Sequence, residues 1–515
     1  MWVSARSSRA LRTAAALASA AWLVGCSAAA RVAQTAYDPG ANAAEPEPTV
    51  GGAGGNAGRA LQPPAAGQSG SMPSEPAADS CPTSLNDRLS LRQLQLDRDV
   101  RYRNSGYRDF PLDERVALAL AADGTGYVAW TDDVAGTVRV TPLAADFSRR
   151  AQDIDTKSWD VGGLVVRDDG FSLLSLRDDP GEQLVPRNGR AVFLLRFRGA
   201  QEQFAVPLTG TRSITRKTDT AARDYGGGYL YGRLAWNGAK YGAYFVIFTA
   251  QGDPHGVSET PGDKLVYIDD SGGVLRGGWS WKCASSQGLR LWPEPDVYTP
   301  VCISTGMPAP GLNLVIEDQP PLQLGPEAAA KGWSGGQMGS IVKLADNSYF
   351  IGWLSRDVKA ATPDIATRRA SDVAMVRLDS ERQQLGKKRW LLETASYGET
   401  NLHFARYGTS RVLMVWDRMD NLTCGDMDQV CFGRYAGTFA RVMDADGNAL
   451  TVDTPISGVP NSYDDLQTLP NGDVAWAYVP DEARDYSGPL PVDQNGNVRL
   501  PAKHRINIAR LRYCE

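Results

Sequence analysis

The stretch AADGTGYVAW, residues 121–130, is an Asp-Gly turn followed by an apolar run that ends in tryptophan. Asp-Gly and Asn-Gly pairs between apolar runs are strong signals for a β-hairpin. Five similar segments follow along the chain: RDDGFSLL (167–174), WNGAKYGAYFV (236–246), ADNSYFIGW (345–353), YGTSRVLMVW (407–416) and PNGDVAW (470–476). Such repetition predicts that one β-hairpin module is used many times.

Each copy is followed, after a loop of variable length, by a second pair of strand-like runs. The third strands are predicted at Val138–Leu143, Ala191–Phe197, Lys264–Ile268, Val373–Leu378, Phe439–Met443 and Ile506–Arg512. A repeated unit of four strands is typical of propeller blades. We therefore predict an all-β fold, a β-propeller.

The number of blades depends on one gap in the repeat. Six copies are clear, but the distance along the chain from Val246 to Trp353 is about twice the mean spacing of the repeat. We interpret Trp279–Asp318 as a degenerate seventh blade, so seven blades are favoured. The alternative is a six-bladed ring that carries a disulfide-pinned insertion.

The ends of the repeat region indicate how the ring closes. The strand-like segment Ser84–Leu96 has no place in the repeats, and the last unit stops after its third strand. We predict that this segment pairs antiparallel with Ile506–Tyr513 as the outermost strand of the last blade. Closure would protect the blade edges, and it would place Cys81 beside Cys514 for a disulfide.

Two of the units also carry a family resemblance. Arg441–Leu450 followed by Leu469–Trp476 resembles the repeats of many large secreted bacterial proteins that look like propellers. The resemblance implies a fold and no chemistry, because propellers host enzymes, binding proteins and scaffolds.

The N-terminal sequence indicates export. Three arginines precede the apolar run Ala14–Val24 and the tetrapeptide Leu23–Cys26, which resembles a lipobox. The resemblance implies a signal peptide over residues 1–25, cleavage before Cys26 and lipidation of Cys26, which would anchor the chain to a membrane. The alternative is an ordinary signal peptide cut near Ala28–Ala30. Because Ser27 follows the cysteine, the resemblance to Gram-negative lipoproteins favours the outer membrane.

Composition divides the remaining chain into two parts. Residues 26–80 are rich in Ala, Gly, Pro and Ser and predict a disordered tether, and residues 81–515 form the propeller domain. The formal net charge is −5 with scattered Lys and Arg, which argues against nucleic-acid binding. We expect a monomer.

Six cysteines remain when Cys26 is set aside, and an even number in an exported chain predicts disulfides rather than a metal site. Their spacing favours Cys283 with Cys302 and Cys424 with Cys431, which leaves Cys81 for Cys514. Six cysteines allow 15 connectivities, so this assignment is one of many.

One face of the ring is predicted to hold the functional residues. In propellers, the segments that lead into the innermost strands lie on the same face as the loops after the second strands. For a glycan or protein ligand, the candidate residues on these segments are Trp159, Asp160, Tyr225, Trp333, Tyr397, Asn401, Asp132 and Asp357. In the alternative interpretation, which is favoured for the second-strand tryptophans, these tryptophans pack between blades and the aspartates cap turns.

Catalytic and metal sites have weaker support in the sequence. His403 near Glu399 can serve as a base, Asp357 and Asp417 can supply carboxylates, and no hydrolase or phosphate-loop motif is present. The acidic loop around Cys424 and Cys431 offers calcium ligands, but its spacing does not match an EF-hand, so we predict a solvated loop and no cofactor. The loop aspartates are Asp417, Asp420, Asp426 and Asp428.

The predicted function is therefore ligand binding by a membrane-anchored propeller. The alternatives are a polysaccharide hydrolase or lyase that uses the same face, and a structural scaffold in an envelope complex.

Overall fold

Seven antiparallel sheets form a closed ring in the computed structural model of the chain. The structure describes residues 81–101, 103–107, 110–113, 115–178, 190–209, 222–225, 230–251, 262–283, 288–304, 311–317, 320–326, 337–355, 372–392, 397–424, 431–480 and 503–514. The predicted signal peptide, the tether and Cys26 lie outside these ranges. The ring belongs to the unit Pro82–Glu515.

The ring is preceded by a 3-10 turn, a strand and a hairpin. These are the turn Asn86–Arg88, strand β1 (Leu89–Gln95), and the hairpin of β2 (Arg103–Tyr107) with β3 (Phe110–Asp113). Three blades follow. Blade 1 contains β4 (Ala117–Leu120), β5 (Gly126–Thr131), β6 (Val138–Leu143) and β7 (Ile154–Asp155). Blade 2 contains β8 (Trp159–Arg167), β9 (Gly170–Arg177), β10 (Ala191–Arg198) and β11 (Gln201–Pro207). Blade 3 contains β12 (Ala222–Tyr225), β13 (Gly232–Trp236), β14 (Lys240–Gln251), β15 (Gly262–Asp269) and β16 (Trp279–Ser280).

Four further blades complete the ring. Blade 4 contains β17 (Gly288–Pro293), β18 (Tyr298–Ser304), β19 (Gly311–Leu314) and β20 (Leu322–Pro326). Blade 5 contains β21 (Gln337–Lys343), β22 (Tyr349–Ser355), β23 (Asp372–Leu378) and β24 (Gln384–Leu392). Blade 6 contains β25 (Tyr397–Tyr407), β26 (Arg411–Cys424), β27 (Cys431–Met443) and β28 (Thr454–Ile456). Blade 7 contains β29 (Gln467–Thr468), β30 (Val474–Tyr478), β31 (Arg505–Leu511) and the early strand β1.

The pairing of β1 with β31 closes the ring as predicted. The two strands are antiparallel, with Leu89 opposite Leu511 and Gln95 opposite Arg505. The strand is shorter than the predicted Ser84–Leu96, because Asn86–Arg88 form the 3-10 turn instead. Each innermost strand contacts the innermost strand of the next blade, and β29 of blade 7 contacts β4 of blade 1.

The seventh blade exists, but its predicted boundaries were wrong. Blade 4 runs over Gly288–Pro326, whereas Trp279 belongs to the outermost strand of blade 3. The repeat is hard to recognise here because the first turn of blade 4 has neither glycine nor asparagine. The Val297 carbonyl instead accepts a hydrogen bond from the Glu294 amide over 2.9 Å, which closes a turn that contains proline.

The turns that defined the repeat have the backbone geometry that their residues favour. Gly124 has a φ of +82°, a region that glycine occupies without strain. The Asp123 carboxylate accepts the Thr125 amide over 2.9 Å and so closes the turn locally.

The apolar core is divided among the junctions between blades. Seven clusters of buried side chains each combine residues of two neighbouring blades, including the junction of blade 7 with blade 1. The second-strand tryptophans are at most 2% exposed and belong to these clusters: Trp130, Trp353, Trp416 and Trp476. They pack between blades, which was the alternative interpretation.

One disulfide joins blade 3 to blade 4. Cys283, which follows the outermost strand of blade 3, is bonded to Cys302 in the second strand of blade 4, as predicted. Cys514 and Cys81 are each disulfide-bonded. Cys424 and Cys431 are register partners at the ends of β26 and β27. The Cys81–Cys514 and Cys424–Cys431 bonds stay predictions.

No helix among the described residues has the length and apolar character that a membrane crossing needs.

Replacing both Cys283 and Cys302 with alanine should lower the free energy of unfolding by roughly 3 kcal/mol, because the bond closes a loop of 19 residues in the unfolded chain. Urea unfolding followed by tryptophan fluorescence measures the difference. The matched control replaces Cys424 and Cys431, whose shorter loop predicts a smaller loss. Equal losses in the two variants would contradict the loop-length explanation.

Candidate functional site

Three arginines lie at one end of the axial channel, the space that the seven innermost strands enclose. Arg115 precedes β4, Arg233 is the second residue of β13, and Arg290 is the third residue of β17. The three residues are at most 7% exposed. Because they lie near the starts of innermost strands, they mark the end of the ring that we call the upper face. The structure thus gathers buried positive charge from blades 1, 3 and 4.

The segment that leads into blade 7 supplies the opposite charge. Residues 460–465, here called the blade-7 leader, carry Asp464 and Asp465. The Tyr463 and Tyr231 rings are tilted against each other, with their centroids 5.2 Å apart. The Pro460 carbonyl accepts a hydrogen bond from the side-chain amide of Asn401 over 2.9 Å. The leader therefore contacts blades 3 and 6 across the upper end of the channel.

Asp465 bridges two of the arginines. Its Oδ2 accepts Arg233 Nε over 2.8 Å, and its Oδ1 forms an ion pair with Arg290 Nε over 2.7 Å. Burial alone would raise the pKa of this carboxyl, but the charges of Arg233, Arg290 and Arg115 outweigh it and hold the pKa at about 2. Burial, together with repulsion from Arg290, lowers the pKa of Arg233 well below its ordinary value.

Asp464 pairs with the third arginine. Its Oδ1 accepts Arg115 Nε and Nη2 over 3.2 and 3.0 Å, and its Oδ2 accepts the Leu118 amide over 2.9 Å. Arg115 Nη1 also donates to the carbonyls of Gly162 and Gly232, on the innermost strands of blades 2 and 3. Burial raises the pKa of Asp464, and the Arg115 charge opposes it. Arg115 thus links four blades at one point.

Blade 6 contributes a chain of hydrogen-bonded polar groups. Asn401 Nδ2 donates to Asp417 Oδ2 over 3.0 Å, and Asp417 Oδ1 accepts Thr438 Oγ1 over 2.6 Å. Since Asn401 Nδ2 already faces two acceptors, its Oδ1 must face His403 Nε2, which lies 2.8 Å away. A carboxamide oxygen only accepts, so His403 carries its proton on Nε2.

Three of the four catalytic candidates come together on blade 6. Glu399 and His403 lie on β25 and Asp417 lies opposite on β26, and all three side chains are at most 3% exposed. Asn401 joins His403 to Asp417 in one buried network, and Glu399 lies on the same strand as His403. The fourth candidate, Asp357, lies outside the described residues.

The predicted ligand-binding residues have different surroundings. Trp159 is half-buried, and the guanidinium of Arg190 lies 3.8 Å from its ring centroid. The Asp160 carboxylate accepts the amides of Leu230 and Val161 and so joins blade 2 to the start of blade 3. Burial raises the pKa of Asp160, and these amides oppose it.

Backbone strain marks two of these positions. Asp160 has a φ of +60° and Asn401 a φ of +51°, both in the left-handed region that Asp and Asn tolerate better than other side chains. Both lie where the register of an innermost strand shifts, in β8 and β25. Bulges of this kind re-aim side chains and are frequent beside functional sites.

Five further candidates cap a turn, are placed by backbone register alone or lie outside the described residues. The Asp132 carboxylate is fully buried and accepts the amides of Val134 and Ala135 over 3.0 Å, so it caps the turn after β5. Tyr225 lies opposite Phe248 in the backbone register, and Tyr397 lies opposite Asp420. Trp333 and Asp357 lie outside the described residues.

The acidic loop of blade 6 is only partly described. Asp420 Oδ2 accepts Arg434 over 2.6 Å, and both oxygens of Asp417 accept hydrogen bonds from Thr438 and Asn401. Asp426 and Asp428 fall outside the described residues. Within the described part of the chain, no group of three His, Cys, Asp or Glu side chains has the arrangement of a metal site.

The sequence analysis missed the central charges. Arg233 and Arg290 each stand inside a short apolar run that ends in tryptophan, Gly232–Trp236 and Gly288–Trp292. A charged residue at a position predicted to be buried requires a partner of opposite charge. This requirement was the signal in the sequence that indicates a buried charge cluster. The partner could not be identified, because Arg233 and Asp465 are 232 residues apart.

No protein-family model and no curated protein sequence matches the chain. A protein of unknown function from Dyadobacter fermentans is 13% identical over 82% of this chain and 99% of its own, with a TM-score of 0.34. Hydrazine synthase of Kuenenia stuttgartiensis is 10% identical over 75% and 95%, with a TM-score of 0.39. A DUF4221 family member from Bacteroides vulgatus is 10% identical over 70% and 100%, with a TM-score of 0.32. The propeller assignment therefore rests on the chain's own seven sheets.

Replacing Asp465 with asparagine should lower the free energy of unfolding at pH 7 by about 1–3 kcal/mol. The change leaves Arg233 and Arg290 buried without their shared counter-charge, although solvent screens part of the effect because the Asp465 side chain is 32% exposed. The folded-state pKa lies below the unfolded one, so this stabilisation is complete above about pH 5 and is lost as the pH falls toward 2.

Urea unfolding of both proteins at several pH values measures this difference. The gap between the native protein and Asp465→Asn should shrink as the pH falls from 5 to 2.5. A gap that stays constant over this interval would mean that the Asp465 charge does not stabilise the fold.

Proposed function

We propose that this chain is an envelope lipoprotein whose propeller binds a glycan or protein ligand at the upper end of its axial channel. The observation that carries the binding proposal is the cluster of Arg115, Arg233, Arg290, Asp464 and Asp465. Placing five ionisable groups inside a fold is costly, and apolar residues of similar volume often stabilise a protein equally well or better. Buried ionisable groups in place of apolar core residues are expected at functional sites.

Two further observations support the same location. The strained positions Asp160 and Asn401 lie on innermost strands at the same end of the ring. The rings of Tyr231 and Tyr463 are half-buried at this end, where aromatic faces can pack against a sugar ring. Charged hydrogen-bonding groups beside aromatic rings can recognise a polar ligand with an apolar face.

The proposed anchor rests on the lipobox resemblance around Cys26. A tether of about 55 residues between Cys26 and the propeller would let the upper face reach ligands tens of ångströms from the lipid surface. Attachment to the outer membrane of a Gram-negative bacterium, and a monomeric state, are parts of this proposal.

The anchor is tested by replacing Cys26 with alanine in the full chain, expressed in a Gram-negative host. The native protein should sediment with membranes and carry an acylated N-terminal cysteine by mass spectrometry, whereas Cys26→Ala should lose the lipid. Ser27→Ala, one residue further on, is the control and should remain lipidated. A native chain without acyl groups would refute the anchor.

Ligand binding is tested with the full chain in mild detergent against a panel of glycans and isolated envelope proteins. Tyr463→Ala should weaken binding about tenfold, since stacking of an aromatic side chain contributes about 1–2 kcal/mol. Trp390→Ala removes a partly buried aromatic from the outermost strand of blade 5 and should leave binding unchanged. The same panel, assayed for new reducing ends or unsaturated products, tests the hydrolase or lyase alternative.

A further inference from the structure

The charges around Arg233 do not balance. The charged groups that act most strongly on it are Arg290 and Arg115, of the same sign, and Asp465 and Asp464, of opposite sign. Asp464 is engaged by Arg115. Arg233 and Arg290 both pair with one carboxylate, that of Asp465, so these two guanidinium groups carry more positive charge than the carboxylate between them offsets.

Arg233 also has an unused donor. Its Nε donates to Asp465 over 2.8 Å and its Nη1 donates to the Gly232 carbonyl over 2.8 Å. Its Nη2 is buried and has no hydrogen-bond partner among the residues that the structure describes. By contrast, Arg115 uses all three guanidinium nitrogens. A buried donor on a charged group destabilises the fold when it has no acceptor, because burial removes its hydrogen bond to water and no other hydrogen bond replaces it.

Solvent reaches the immediate surroundings of this donor. The side chains of Arg233 and Arg290 are 9% and 5% exposed, but Asp465 between them is 32% exposed. The half-buried Tyr231 lies two residues before Arg233, and its ring faces that of Tyr463. An incoming group thus meets aromatic surface and a guanidinium donor at the same end of the channel.

We infer that the upper end of the axial channel binds the carboxylate of an acidic sugar, with Arg233 Nη2 as its principal donor. This inference rests on the proposed function and narrows its ligand to glycans that carry uronic-acid units. A carboxylate brings a negative charge to the two guanidinium groups that share Asp465. Guanidinium groups donate to carboxylates in a geometry that fits both partners. The tyrosines would pack against the sugar ring that carries the carboxylate.

The test compares two matched probes by isothermal titration calorimetry on the full chain in detergent. The probes are a galacturonic acid tetrasaccharide and its fully methyl-esterified, neutral form. The native protein should bind the acid at least tenfold more tightly than the ester, because a hydrogen bond between charged groups is lost with the ester. Arg233→Gln should bring the affinity for the acid down to that for the ester. Arg198→Gln removes an arginine that is 68% exposed on the third strand of blade 2, and it should change neither affinity.

A second variant keeps the inference testable if Arg233→Gln fails to fold. Asp465→Asn removes the carboxylate that competes with the ligand for Arg233 and Arg290, so the ratio of its affinity for the acid to its affinity for the ester should exceed that of the native protein. A folded state is verified by circular dichroism and by the unfolding midpoint. A merely structural role for Arg233 and Asp465 predicts no gain in acid binding.

Three results would overturn the inference. They are equal affinity for the acid and the ester, unchanged acid binding by a folded Arg233→Gln, and preference for a peptide carboxylate over the saccharide acid. In each case binding of a neutral glycan or of a protein would leave the broader binding proposal in place. Absence of binding to every glycan and envelope protein would refute both.

Discussion

Each blade has two apolar faces, and both can be buried only against neighbouring blades. The seven apolar clusters each take residues from two adjacent blades, so a single blade has no complete core of its own. A row of blades would therefore leave one apolar face exposed at each end. Closing the ring removes both exposed faces, and the chain achieves this with β1, which completes blade 7 from the other end of the domain. The fold thus depends on packing between blades 7 and 1, where Val128 and Trp130 join Ile506 and Ile508.

Ring closure also creates the crowded axis where the candidate site lies. Seven innermost strands begin at the upper face, and the residues there must either pack against one another or pair their polar groups. Most of these polar groups are paired through hydrogen bonds and ion pairs that link several blades and involve Arg115, Asp464 and Asp465. The network around Asn401 does the same within blade 6. The unmatched Nη2 of Arg233 lies beside a carboxylate that two arginines share, and this combination makes it informative about function.

Much of the fold was predictable because it depends on local chemistry. Turns that contain glycine or asparagine identified six blades, and the strand left over at the start identified the closure. Blade 4 was located less accurately, because its first turn contains proline and has neither glycine nor asparagine. The site was predictable only in outline. Asn401 and Asp160 were selected because they lie in segments that lead into blades, whereas Arg115, Arg233 and Arg290 were missed because nothing nearby in the sequence distinguishes them. Trp130 and its equivalents belong to the core, as expected for large apolar side chains on a second strand.

By itself, the sequence determined the repeated four-stranded unit and the closing strand, and the cysteine spacing favoured the Cys283–Cys302 bond. These features follow from turn residues, alternating apolar runs and short spacings, which act over a few residues. Only the tertiary structure decided which charges meet. Arg115 and Asp464 are 349 residues apart, and they are brought together by ring closure rather than by any local preference. A charge has no preferred partner at a fixed distance along the chain, so its pairing is settled only when the blades pack into a ring.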